Sequence, residues 1–205
     1  MAETEQPQIY LVTPSEFELS RFLPLAAAAM DAVPVACLRL SLATRDEERI
    51  AQYADALRAL AHERDIPLVI DDHVAMVERL GLDGVHLTDG ARLVREARKA
   101  LGPDAIVGAF CGASRHAGMA AGEAGADYVS FGPVSGTLGD GQLAEAELFA
   151  WWSQMIELPV VAEGGLDVEA QSWLAPVVDF LTFGEEIWAQ DAPAAALAER
   201  HQSLV

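Results

Sequence analysis

Short apolar runs rich in β-branched residues alternate with longer, Ala-rich amphipathic runs along the whole chain. Ile9 to Val12 reads as the first strand. Thr13-Pro14-Ser15-Glu16 then opens a helix toward Met30, with Pro early and Glu in the first turn. Val33 to Leu40 predicts the second strand, and Ala43 to Arg64 a long helix with Ala54, Leu57 and Ala61 on one face. Pro67 to Ile70 is a continuous apolar run, as a strand buried on both faces requires. A short helix follows over His73 to Leu80. The later strands fall at Gly84 to Leu87, Ala105 to Ala109, Asp127 to Phe131, Pro159 to Ala162 and Val178 to Phe183. Helices are expected at Ala91 to Leu101, Ser114 to Ala124, Ala144 to Ile156, Val168 to Leu174 and Pro193 to Gln202.

Eight β-runs, each followed by a helical run, imply parallel strands with helical crossovers. No linker and no low-complexity segment interrupts the alternation, so residues 1–205 read as one domain. The fold expected is α/β, a single short (β/α)₈ barrel. An open doubly wound sheet is the alternative, but no G-x-G-x-x-G follows the first strand. In a barrel the site lies at the C-terminal ends of the strands.

Charge narrows the partners. The formal net charge is −19 at pH 7, and 52 % of residues are hydrophobic. Nucleic acid and anionic membranes need clustered Lys and Arg, so neither is expected, and a small-molecule ligand is. No stretch reaches the roughly 18 apolar residues of a membrane helix, and the N-terminus has no signal-peptide pattern. Cys37 and Cys111 form no CxxC pair. A reducing cytoplasm is the simple expectation.

Several strand ends carry chemistry. Asp71-Asp72-His73 leaves the third strand, and two carboxylates there suit Mg²⁺ or a helix N-cap. Arg39, near the end of the second strand, needs an anion or a carboxylate partner such as Asp72. His86 lies inside the fourth strand and reads as a hydrogen-bonded core residue or a site residue. Asp89 offers a second metal carboxylate or makes the turn Asp89-Gly90. Gly164-Gly165 and Gly184 follow the seventh and eighth strands, where barrels bind phosphate through backbone N–H groups. Glu185-Glu186 works against that use. A carboxylate about 4 Å from a phosphate costs roughly 4 kcal/mol per charge pair at an effective dielectric near 20. Trp151-Trp152 reads as outer-layer packing or an oligomer contact, and a homodimer is plausible.

Taken in order, the short motifs resemble the thiamine-phosphate synthase family, which includes the related thiazole tautomerases. The pieces are Pro67-Leu68-Val69-Ile70-Asp71-Asp72, Asp83-Gly84-Val85-His86-Leu87, Gly125-Ala126-Asp127-Tyr128-Val129 with Gly132-Pro133, and Pro159-Val160-Val161-Ala162-Glu163-Gly164-Gly165. The resemblance implies the (β/α)₈ barrel and coupling of a pyrimidine-methyl diphosphate to a thiazole phosphate, with Mg²⁺ on the diphosphate. It implies Arg39 and Asp72 as catalytic residues, Asp72 as a metal ligand with Asp89, two residues early, as the substitute for the second, and Thr137, Gly164, Gly165 and Gly184 at substrate or phosphate. Other family positions differ here. Cys37 and Ser41 stand where the family has Gln and Lys, and His73 where it has Arg. Ala91 takes the place of the second metal carboxylate, Phe110 that of a Ser, and Glu185 that of the phosphate-turn Ser. Gly139 and Asp140 replace a Thr and a Lys. Two further expectations therefore stand beside the synthase. One is a barrel that binds a neutral or cationic ligand after losing its diphosphate site, and the other is a non-catalytic binding or regulatory protein.

Overall fold

The computed structural model describes residues 6–135 and 142–204. The strands are β1 (Gln8–Val12), β2 (Val35–Leu40), β3 (Leu68–Asp71), β4 (Gly84–Leu87), β5 (Ile106–Phe110), β6 (Tyr128–Phe131), β7 (Val160–Ala162) and β8 (Phe180–Phe183). All pair in parallel, each with the next in sequence, and β8 returns to β1. The sheet is thus closed, as βα alternation without a dinucleotide fingerprint implies. Between strands lie α1 (Leu19–Ala32), α2 (Glu47–His62), α3 (Val74–Leu80), α4 (Val94–Leu101), α5 (Arg115–Ala124), α6 (Ala146–Met155) and α7 (Val168–Leu174). α8 (Glu185–Trp188) and α9 (Pro193–Gln202) follow β8.

Local chemistry sets most helix ends. Asp46, Ser114 and Asp167 cap α2, α5 and α7 by accepting from backbone N–H groups of the first turn. Gly81 and Gly125 close α3 and α5 in the left-handed conformation that a Cβ disfavours. Two predicted starts are corrected. The first helix begins at Leu19 behind Glu18, because Thr13 is buried and bonds to the Ser41 backbone instead. The second begins at Glu47, since Asp46 is its cap. The short α8 lies in the stretch after β8, for which no helix is expected from sequence.

Three carboxylates clasp the floor of the barrel. Asp83, Asp127 and Asp179 stand just before β4, β6 and β8. Each accepts at 2.7 Å from the first backbone N–H region of the preceding strand, at Leu68, Val107 and Val160. The apolar outer faces of the strands pack under the helices in one continuous core that includes Leu11, Leu38, Ile70, Val129 and Phe183.

The inward-facing side chains form layers. Arg39 on β2 is level with Val69, and Asp71, two residues on, is level with His86. The same two-residue step leads from His86 to Ser130, then to Thr182, and back to Arg39. The stagger is that of a (β/α)₈ barrel, whose interior layers take four side chains from alternate strands. Arg39, His86, Ser130 and Thr182 therefore make one layer, and all four are buried. A layer that is usually aliphatic is here wholly polar.

Candidate functional site

Arg39 enters the barrel from β2 and meets two carboxylates near the C-terminal mouth. Its Nη1 donates to Glu163 Oε2 at 2.9 Å, and its Nε lies 3.4 Å from Asp71 Oδ1. Its Cζ also lies 5.8 Å from the centroid of the Tyr10 ring. Burial works against the guanidinium charge, but Glu163 and Asp71 outweigh it and hold the Arg39 pKa well above its ordinary value. Asp71 shows the opposite balance. Burial pushes its carboxyl up to about 6, although the Arg39 charge pulls it down.

His86 sits on β4 beside this pair. Nδ1 is 2.8 Å from the Tyr128 hydroxyl, which is 2.7 Å from the Tyr10 hydroxyl. A relay from Tyr10 to Tyr128 to Nδ1 pairs both hydroxyl protons and leaves the ring proton on Nε2. Nε2–H then faces Glu163 Oε2 at 3.9 Å. Burial, reinforced by the Arg39 charge, drives the His86 pKa well below 6.5, so the imidazole is neutral. The two tyrosine hydroxyls are raised well above 10, chiefly by burial. Gly108 makes the chain possible, because a Cβ there would fall 2.0 Å from the Tyr128 ring.

Asp71 and Asp72 separate by backbone geometry. Asp71 ends β3 with its carboxylate inside, whereas Asp72 has φ of 55° and turns out to the rim. Asp72 Oδ1 accepts from the Thr88 N–H at 2.9 Å and Oδ2 from the Thr88 hydroxyl at 2.5 Å. Neither the Arg39–Asp72 pair nor a helix cap by these Asp residues forms. Asp71 and Glu163 hold Arg39, and the N-cap of α3 is His73, with no side-chain cap bond. Asp89 is exposed and pairs with Arg92 at 3.1 Å.

The glycines expected at phosphate lie on the same rim. Gly164 and Gly165 are both left-handed, and the Gly164 carbonyl accepts from Val134 at 2.8 Å. The Gly184 N–H donates to Glu186 Oε2 at 3.1 Å, so a carboxylate of the chain already lies on the β8 turn. Thr137 lies outside the described residues.

Sequence reasoning missed Glu163 as the main partner of Arg39, and it missed Ser130 and Thr182. The signal for the last two was present: each is a single polar residue of inward parity in an otherwise apolar strand. Among the described residues, no three His, Cys, Asp or Glu side chains gather into a metal-holding group. Asp72 nevertheless offers a hard carboxylate at the rim, with a lone pair left on each oxygen beyond its Thr88 bonds. That suits Mg²⁺, which is commonly held by one or two carboxylates plus substrate phosphates. Asp89 pairs with Arg92 at the exposed surface.

A closed parallel barrel with charged side chains at the C-terminal ends of its strands defines the class of (β/α)₈ proteins whose ligands bind where the strands end. Within that class, the family model described as thiamine monophosphate synthase matches residues 9–176, and the chain belongs to that family. It is 42 % identical to the thiamine-phosphate synthase of Rhodospirillum centenum over 196 residues, covering 94 % of this chain and 95 % of that one. It is 38 % identical to the enzyme of the same name from Erythrobacter litoralis, over 98 % of both chains. The fold is similar to that of thiamine phosphate pyrophosphorylase from Pyrococcus furiosus, with TM-score 0.84 and 21 % identity over 96 % of this chain and 95 % of that one.

Proposed function

We propose that the chain is a thiamine-phosphate synthase, joining a pyrimidine-methyl diphosphate to a thiazole phosphate with release of diphosphate. The observation that carries this reading is identity of 38–42 % with synthases over nearly the full length of both partners. In the reaction the C–O bond to diphosphate breaks and the thiazole nitrogen bonds to the freed methylene carbon, leaving a thiazolium cation. Charge stabilisation of the departing diphosphate is the main task. Mg²⁺ supplies that charge when it is bound, and Asp72 is the residue that would hold it. The Gly164 and Gly165 amides and Thr137 are assigned to the phosphate groups, and Gly184 joins them only where phosphate displaces the Glu186 carboxylate from its N–H. Arg39 is assigned to the pyrimidine side of the mouth.

No helix among the described residues is long and apolar enough to cross a membrane. A cytoplasmic setting and a homodimer complete the reading, the latter to be checked by sedimentation. The purified protein should be given both substrates with Mg²⁺, and diphosphate and thiamine phosphate measured together. Equimolar formation of the two, dependent on both substrates, is the expected result. Absence of both products at saturating substrate overturns the reading.

A further inference from the structure

The polar layer of the barrel interior lies one step beneath the mouth. Strand pairing places Val12, Asp71, Phe110 and Glu163 in the layer above Arg39, His86, Ser130 and Thr182, and Tyr10, Val69, Gly108 and Val161 in the layer below. Arg39 forms the lid, since its guanidinium leaves its own layer to meet Glu163 and Asp71. Tyr10 and Tyr128 form the floor, joined through their hydroxyls and tied to His86 Nδ1.

Three atoms of the enclosed layer are buried with no hydrogen-bond partner among the described residues: His86 Nε2, Ser130 Oγ and Thr182 Oγ1. Their residues are only 1 %, 0 % and 4 % exposed. They stand on β4, β6 and β8, alternate strands whose inward side chains converge on the axis. Folded proteins pair such atoms with the chain, with water or with a ligand.

Charge and size identify the partner. An anion would lie against the Glu163 and Asp71 carboxylates at low dielectric. A cation would meet the Nε2–H of neutral His86 and the Arg39 guanidinium. An apolar group would leave all three atoms unpaired. The partner is therefore small and neutral, accepting from Nε2–H and donating to a hydroxyl. Ser130 is smaller than the branched aliphatic residues that usually fill such a layer, which gives the axis width for a molecule of that size. Water meets each requirement: a polar site, room on the axis and several partners.

We propose that this layer is a hydration site, in which an internal water on the barrel axis is held by His86 Nε2, Ser130 Oγ and Thr182 Oγ1. Nε2 lies 3.9 Å from Glu163 Oε2, too far for a direct bond, and the same water is placed to bridge the two. A hydrogen-bonded column then runs unbroken from Tyr10 through Tyr128, His86 and the water to Glu163. The site takes solvent rather than substrate, and it stands whether or not the synthase reading does.

Thr182→Val tests the site through the sign of a stability change, because the two side chains share a shape and differ by the hydroxyl. With no partner for Oγ1, its removal would relieve a buried unpaired group and raise the melting temperature. With the water bound, the melting temperature should fall by about 2–4 °C, the shift for one lost hydrogen bond in a protein of this size. A crystal structure of the wild type with ordered solvent resolved gives a second reading that needs no variant to fold. It should show a water within about 3.2 Å of His86 Nε2 and of at least one of the two hydroxyls. A melting temperature of Thr182→Val that rises or stays the same overturns the proposal. So does a crystal structure with no water in reach of Nε2.

Discussion

Arg39 and Glu163 meet at 2.9 Å across the barrel although 124 positions separate them in the chain. β2 and β7 are not neighbours in the sheet, so the pair spans the interior and ties two sides of the mouth together. Both side chains are mostly buried, and removing either leaves a desolvated charge behind.

Arg39→Met should therefore destabilise the protein by about 3–5 kcal/mol, the range for breaking a buried pair. The double variant Arg39→Met, Glu163→Met should recover part of that loss. Urea denaturation of the two single variants and the double variant reads the coupling; strictly additive losses would show that the pair is energetically idle.

Tyr128→Phe removes one oxygen and strands two groups, the Tyr10 hydroxyl and His86 Nδ1. The expected cost is about 2–4 kcal/mol, from two buried polar groups losing a partner. Thermal unfolding compared with Tyr53→Phe provides the check, since the Tyr53 hydroxyl bonds the Phe17 carbonyl nearer the surface.

His86 gives the protein an acid limb. Its pKa is depressed in the folded state, so the unfolded chain binds the extra proton first as pH falls. The stability it contributes is complete above about pH 6.5 and is lost progressively below. Melting temperatures at pH 7 and pH 5 should differ less in His86→Gln than in the wild type. An equal difference in the two proteins would assign the acid limb to other groups.

Asp72→Asn keeps the shape of the rim and the Thr88 contact while removing a charge. Under the synthase reading, diphosphate release should fall at least about tenfold with little change in melting temperature. Retention of full activity at limiting Mg²⁺ would take Asp72 out of metal binding.

The order of strands and helices was legible because the β-runs and the amphipathic runs follow different periods. Helix starts were less so. Thr13-Pro14-Ser15-Glu16 has the composition of a start, but Thr13 is consumed by a contact with Ser41 that no local pattern announces. The same limit applies at the site. Asp71 and Asp72 are equivalent in composition, and only the positive φ of Asp72 sends one outward and leaves the other on Arg39. Glu163 was hidden for a similar reason, since its partner lies on the far side of a closed barrel.

The carboxylate clasps on the floor of the barrel join β3 with β4, β5 with β6 and β7 with β8, and each closes within its own pair. A cut at Gly102–Pro103, between α4 and β5, severs none of them. The chain is thus partitioned into modules that keep their internal fastening when separated. Two fragments ending and beginning there are natural candidates for reassembly in trans, and would rejoin along the β4–β5 seam and the β8–β1 closure.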